Sequence, residues 1–226
     1  MDFERYVKNM DAFSRDQIES CLKKQVAVVG CGGLGGYVIS ALARFGVGKL
    51  ILVDGDVFSI SNLNRQLFCT TETLGENKAV SAMEALEKIN PDVKVTAITE
   101  NLGCNNAGEV LTGSDAVVDC LDNIPSRLLL YRVCSALGIP LVHGAIDGFF
   151  GQVSVIYPGD NTLAELYPDE SAGSSDSQGN PGFTPMLIAA IQAAETIKLL
   201  TGVLRRTERQ LIAADLLRME FDTIVL

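Results

Sequence analysis

No C-x-x-C pair occurs in this chain, and its six cysteines all lie at or before Cys134. Thiols scattered in this way fit reduced residues in a cytoplasmic protein, whereas a disulfide framework would need a secreted context. Histidine is scarcer still, with His143 standing alone. Cations are outnumbered, 18 Lys and Arg against 28 Asp and Glu, for a formal net charge of −10. That balance weighs against nonspecific nucleic-acid binding, which relies on a cationic surface. No apolar run approaches the roughly 18–20 residues that span a bilayer. The opening MDFERYVKNM is charged and lacks the apolar segment of a signal peptide. The expectation is a cytoplasmic protein with no membrane association.

What is present is 47% hydrophobic content over 226 residues, enough for one sizeable core and one domain spanning residues 1–226. Ser14 and Gln17 form a capping box that opens a short helix through about Cys21. VAVVG (26–30) reads as a buried strand, and residues 33–45 carry apolar side chains at helical spacing. KLILVD (49–54) is a second strand, 77–89 a helix, and DVKVTAI and DAVVDC further strands with a weaker helix near 107–111 between them. SRLLLYRVCSAL then reads as a helix and PLVHGAI as a strand. This alternation predicts an α/β fold, a Rossmann-like, doubly wound, mostly parallel sheet. GQVSVIYP follows without a helix and RQLIAADLLRMEFDTIVL resembles two closing strands, so antiparallel strands are expected toward the C-terminus. Between them, TPMLIAAIQAAETIKLLTG is an apolar helix with Pro185 in its first turn and Gly202 past its end. Residues 159–182, rich in Gly, Ser, Asp and Asn, read as a mobile crossover loop.

GCGGLG, Gly30 to Gly35, sits between a strand and a helix, where glycines let backbone approach phosphate at a helix N-terminus. Gly30, Gly32, Gly33 and Gly35 are the candidate contacts. Asp54 closes the next strand, where a carboxylate accepts from ribose hydroxyls. Alone, this pattern makes an NAD-dependent oxidoreductase the default. The stretch DGDVFSISNLNRQLF changes the reading, because Asp54, Asp56, Ser61, Asn62, Asn64, Arg65 and Gln66 are side chains suited to phosphate, ribose or metal. A triphosphate with Mg²⁺ needs converging cations, and Arg65 and Lys78 supply them from segments following the second strand. Asp122, just past a later strand, could hold the metal.

At these residues the chain resembles the ThiF/MoeB/HesA family, bacterial relatives of the ubiquitin-activating enzymes. The resemblance runs from about Arg5 to Gly202 through GCGGLG, VDGD, SNLNRQ, Lys78 in GENK, INP, DCLDN and AAETIKLLTG. It implies binding of MgATP and adenylation of the C-terminal glycine of a small ubiquitin-like sulfur carrier ending in Gly-Gly, with release of pyrophosphate. By the same resemblance Gly33 lies against the nucleotide, Asp54 binds ribose and Ser61 to Arg65 line the phosphates. Arg65 and Lys78 supply charge, while Asp122 with Asn123 organises Mg²⁺ and the reacting carboxylate. A homodimer is implied as well.

The chain departs from the family pattern in three ways. The N-terminal R-Y-x-R-Q is RYVKN here, so the residue reaching across a dimer is Lys8, which keeps charge but loses the two-pronged geometry. The site of a structural zinc reads TLAELYP, with no cysteines, so no four-cysteine zinc is expected. No cysteine follows Cys134, so a covalent step from the crossover loop is not expected, and the adenylate would pass to a separate sulfur donor. No rhodanese-like domain is expected. Cys120 reads as a small core residue or a nucleophile, and His143 as a strand-end residue bonded to backbone or a contact for the carrier tail. Phe149 and Phe150 either underlie the tail or pack in the core. Other readings are a non-catalytic subunit of an activating pair, adenylation of a tRNA-linked carboxylate, and last the NAD-linked oxidoreductase.

Overall fold

Ser14 caps the first helix as its spacing predicts: its hydroxyl accepts the Gln17 N–H at 3.2 Å, and the Gln17 carboxamide accepts the Ser14 N–H at 2.9 Å. In the computed structural model, which describes residues 3–168, 179–203 and 208–226, helix α1 (Arg15–Cys21) leads into strand β1 (Gln25–Val29). There follow α2 (Gly33–Phe45), β2 (Lys49–Val53), α3 (Lys78–Ile89), β3 (Lys94–Ile98), α4 (Ala107–Leu111), β4 (Ala116–Asp119), α5 (Ile124–Leu137) and β5 (Leu141–Asp147). The chain closes with β6 (Phe150–Ile156), α6 (Thr162–Leu166), α7 (Phe183–Thr201), β7 (Gln210–Asp215) and β8 (Glu220–Val225). The strands form one sheet in the order β3-β2-β1-β4-β5-β6-β7-β8. From β3 to β5 neighbours run parallel, and β6, β7 and β8 each pair antiparallel, as the missing crossover helix implied.

Because side chains alternate along a strand, each central strand feeds two cores. Val26, Val28, Leu50 and Leu52 meet α2, α3 and α7 on one face. Ala27, Val29, Val53 and Val117 meet α4, α5 and α6 on the other. Strand order reverses where β1 lies between β2 and β4, and ligands in open α/β sheets bind beyond the carboxyl ends of strands at such a point. The glycine loop follows β1 and the Asp122 turn follows β4, so both face that crevice.

One expectation changes, and two elements add to the reading. The crossover segment contains α6, whose Leu163 is fully buried in the second core, so it is not a loop throughout. A helix of five residues is too short for a periodic signal; residues 169–178 of that segment lie outside the described residues. The N-terminal stretch Phe3–Asn9 is a 3-10 helix that buries Tyr6 completely, with its hydroxyl bonded by Asn90 Nδ2 at 3.0 Å. Among the described residues, α7 is long and apolar enough to cross a membrane, which counting uninterrupted runs missed. It lies in the first core through Ile188, Ala189 and Ala193, and it also buries Gln192 and Glu195.

Candidate nucleotide site

The loop after β2 is held by its own carboxylate. Asp54 accepts the Cys31 N–H at 2.7 Å and the Asp56 N–H at 2.9 Å, tying the glycine turn to the following loop. Burial pushes this carboxyl above its ordinary range even though both backbone bonds pull the other way. Asn77, the N-cap of α3, accepts from Ala79 and Val80 and donates to the carbonyls of Asp54 and Asp56. That clamp sets Lys78 at the first position of α3. Its stem is buried and its ammonium pairs with the exposed Asp56 carboxylate at 2.9 Å.

Two glycines of the loop answer to packing. Gly30 has φ +92°, and a Cβ there would meet the Cys120 carbonyl oxygen at 2.5 Å. A Cβ on Gly35 would meet the Gly30 carbonyl oxygen at 1.8 Å, so α2 can seat on the turn only without a side chain. Gly33 differs: a Cβ there would make only ordinary contacts, 3.7 Å to Pro185 and 3.8 Å to Arg65. Packing therefore does not require glycine at 33, whereas close approach of a ligand to bare backbone does.

Gly30, Gly32, Gly33, Asp54, Asp56, Arg65, Gln66, Lys78, Asp122 and Asn123 all line one cavity of about 890 Å³. The two cations and the carboxylate singled out in the sequence thus border the same cavity as the glycine turn. Arg65 lies over the turn with Nη1 donating to the Ser61 carbonyl at 3.0 Å and to Asn64 Oδ1 at 2.9 Å. Gln66 is buried against Gly32 with its Oε1 unpartnered. Asp122 is exposed and accepts a hydrogen bond from the neutral Asn123 amide at 3.2 Å. A metal–triphosphate suits this donor set: two cations, an accessible carboxylate and an unspent amide oxygen around bare backbone.

Other expected contacts stand outside the cavity wall. Asn62 is buried and spends its Oδ1 on the Ser59 N–H at 3.0 Å, closing a single 3-10 turn rather than facing phosphate. The Ser61 hydroxyl pairs with that of Ser59, and the Asn64 amide donates to the Asn180 carbonyl. Gly35 is a packing glycine, and Lys8 is exposed on the N-terminal 3-10 helix. Asn123 lines the cavity but also caps α5 by accepting the Ser126 N–H at 2.9 Å.

His143 fits neither of its readings. It lies inside β5, fully buried, with Nδ1 2.7 Å from Asp119 Oδ2 on the neighbouring strand. Burial lowers its proton affinity below the ordinary histidine range. Cys120 is buried beside Gln192, and burial raises its thiol well above the usual range, which suits a core residue and not a nucleophile. Phe149 is exposed and packs at a tilt against Phe183 with ring centroids 5.2 Å apart, while Phe150 lines the cavity. Sequence reasoning missed Arg127, Gln152 and Tyr167, which also line the cavity.

Known proteins resemble this chain over most of its length. The ThiF family model matches residues 4–226. The SAMP-activating enzyme E1 of Haloferax volcanii is 38% identical over 227 residues, covering 98% of this chain and 84% of the relative. The sulfur carrier protein ThiS adenylyltransferase of Escherichia coli is 34% identical over 208 residues, covering 89% and 83%. Among solved structures, PaaA aligns with a TM-score of 0.81 at 20% identity over 99% of this chain and 73% of its own. Escherichia coli MccB with ATP aligns at 0.74 and 20% identity over 92% and 65%. With the match running through the glycine turn, both cations and the Asp122 turn, this chain belongs to the ThiF family.

Proposed function

We propose that the protein is an adenylyltransferase that uses MgATP to activate the C-terminal glycine carboxylate of a small ubiquitin-like sulfur carrier. The observation that supports this reading is that Arg65, Lys78 and Asp122, from three separate segments, line one cavity with Gly33, a glycine that packing does not require. The relatives named as carrier adenylyltransferases and activating enzymes point the same way. The carrier carboxylate attacks the α-phosphorus, forming the acyl–O–P bond as the α–β bridge breaks and pyrophosphate leaves. No general base is needed, since a C-terminal carboxylate is ionised at neutral pH. Lys78 and Arg65 stabilise the charge that builds on the phosphates, and fixed cations do this without reorganisation.

Asp122, with Asn123 beside it, would hold Mg²⁺, an ion that neutralises phosphate charge and orients the chain of phosphates. Asp54 would meet the ribose with the lone pairs its two backbone bonds leave free. Lys8 stands outside the cavity of its own chain, so any contact it makes with nucleotide is across a homodimer. The adenylate passes to a separate sulfur donor, because residues 159–182 contain no cysteine and Cys120 is a buried neutral thiol. The test is ATP–pyrophosphate exchange with the full chain and a purified carrier ending in Gly-Gly. Exchange that requires the carrier is expected; exchange supported by a free small carboxylate instead would place the protein among other ligases.

A further inference from the structure

Beneath the Asp122 turn lies a polar network that no step above uses. Asp119 ends β4 fully buried, and its two oxygens part company. Oδ1 accepts the Leu121 N–H at 3.0 Å, while Oδ2 meets His143 Nδ1 at 2.7 Å. With the imidazole proton on Nδ1, Nε2 is free to accept the Tyr167 hydroxyl 3.2 Å away. That hydroxyl accepts in turn from Arg127 Nη1 at 3.2 Å and from Gln152 Nε2 at 3.0 Å. Arg127 closes the circuit by donating Nη2 to the Leu121 carbonyl at 2.5 Å. Leu121, Asp119, His143, Tyr167 and Arg127 thus form a closed hydrogen-bonded ring, and Asp122 is the next residue along the chain. From the opposite side of β4, buried Gln192 donates to the Asp119 carbonyl at 2.8 Å. Gly144 leaves room for it, since a Cβ there would stand 2.3 Å from the Gln192 carboxamide.

A ring of buried polar groups is an inefficient way to hold a core, because apolar residues of similar volume do it without desolvation. What the ring does provide is a fixed geometry: both backbone groups of Leu121 are tied, so the exposed Asp122 carboxylate starts from an immobile turn. We propose that Arg127, Tyr167 and His143 are positioning residues that hold the β4–α5 turn so that Asp122 presents its carboxylate to the metal–nucleotide in one orientation. Partners of this kind behind a metal-binding carboxylate typically govern affinity or activity by about 10- to 100-fold. The inference rests on the adenylation reading for what Asp122 does, but the immobility of the turn is open to measurement by itself.

The experiment uses the full chain and its Tyr167→Phe variant, which keeps the ring face and loses only the hydroxyl. Arg127→Lys is the second variant, since lysine keeps the charge but cannot bridge the Leu121 carbonyl and the Tyr167 hydroxyl together. Amide hydrogen exchange is read for the peptide covering 120–123 and for a reference peptide in α2. The Mg²⁺ concentration giving half-maximal binding of a non-hydrolysable ATP analogue is measured alongside. Both variants are expected to exchange at least about tenfold faster at 120–123 with α2 unchanged, and to need about 10- to 100-fold more Mg²⁺. Wild-type protection at 120–123, or faster exchange everywhere with an unchanged Mg²⁺ requirement, overturns the proposal. A wild type silent in carrier-dependent exchange overturns the proposed function instead, and the hydrogen-exchange result then decides the ring.

Discussion

Gly33 and Gly35 lie two residues apart in one motif and are glycine for different physical reasons. Alanine at 35 would drive its methyl into the Gly30 carbonyl oxygen at 1.8 Å, a backbone collision no rotamer relieves. Alanine at 33 would touch only carbons at 3.7 and 3.8 Å. Gly35→Ala is therefore expected to lose on the order of 3 kcal/mol or more in thermal or urea unfolding. Gly33→Ala is expected to melt like the wild type while losing ATP binding; equal stability losses for the two would contradict the assignment. Asp122 makes the same division between stability and chemistry. Its side chain is exposed, so Asp122→Asn is expected to change stability by less than about 0.5 kcal/mol. Carrier-dependent pyrophosphate exchange should fall by about 10²–10³-fold. None of this difference between neighbouring glycines is visible in GCGGLG itself, because the colliding atoms belong to a loop fold that the letters do not encode.

Among the elements, α7 and α3 show how helices place the site through single polar residues. Gln192 on α7 donates to the carbonyls of Asp119 and Val142, so one amide bridges the last residue of β4 and the second residue of β5. Gln192→Ala leaves both carbonyls unpaired in the core and opens a void, and is expected to cost about 2–4 kcal/mol in urea unfolding. Asn77 caps α3 and also ties the carbonyls of Asp54 and Asp56, so Asn77→Ala is expected to cost about 1–2 kcal/mol and to weaken ATP binding together. Long periodic elements were legible: α2, α3 and α7 follow from spacing, and the absence of a helix before β6 implied its antiparallel pairing. Short ones were not. The 3-10 helix at Phe3–Asn9 and the single turn of α6 are stabilised by burying Tyr6 and Leu163, contacts made by distant parts of the chain. Arg127, Gln152 and Tyr167 were missed for the same reason, since their partners lie 6 to 40 residues away. A signal did exist in DAVVDC and PLVHGAI. An acid and the sole histidine inside apolar strands cannot stand unpaired, and adjacent parallel strands bring Asp119 and His143 into register.

At the scale of the whole molecule, a single histidine makes pH a clean probe. Burial depresses the His143 proton affinity in the folded state, so the unfolded chain binds the extra proton first on acidification. Stability from this group is present above the unfolded value of 6.5 and is lost as pH falls below it. The slope is expected to reach at most about 1.4 kcal/mol per pH unit below about pH 6.5. His143→Gln should flatten that slope in urea unfolding; an unchanged slope would assign it to other groups. The buried Asp54 carboxyl works with the opposite sign, so the difference between variant and wild type, rather than the raw slope, isolates the histidine. The central claim is that one crevice, at the point where strand order reverses, gathers Arg65, Lys78 and Asp122 around a metal-bound triphosphate. Crystals of the full chain soaked with MgATP test it most directly. The account predicts phosphates lying on Gly33, with Arg65 and Lys78 within hydrogen-bonding distance and the ion beside Asp122. Nucleotide bound elsewhere, or phosphates that touch neither cation, would contradict it.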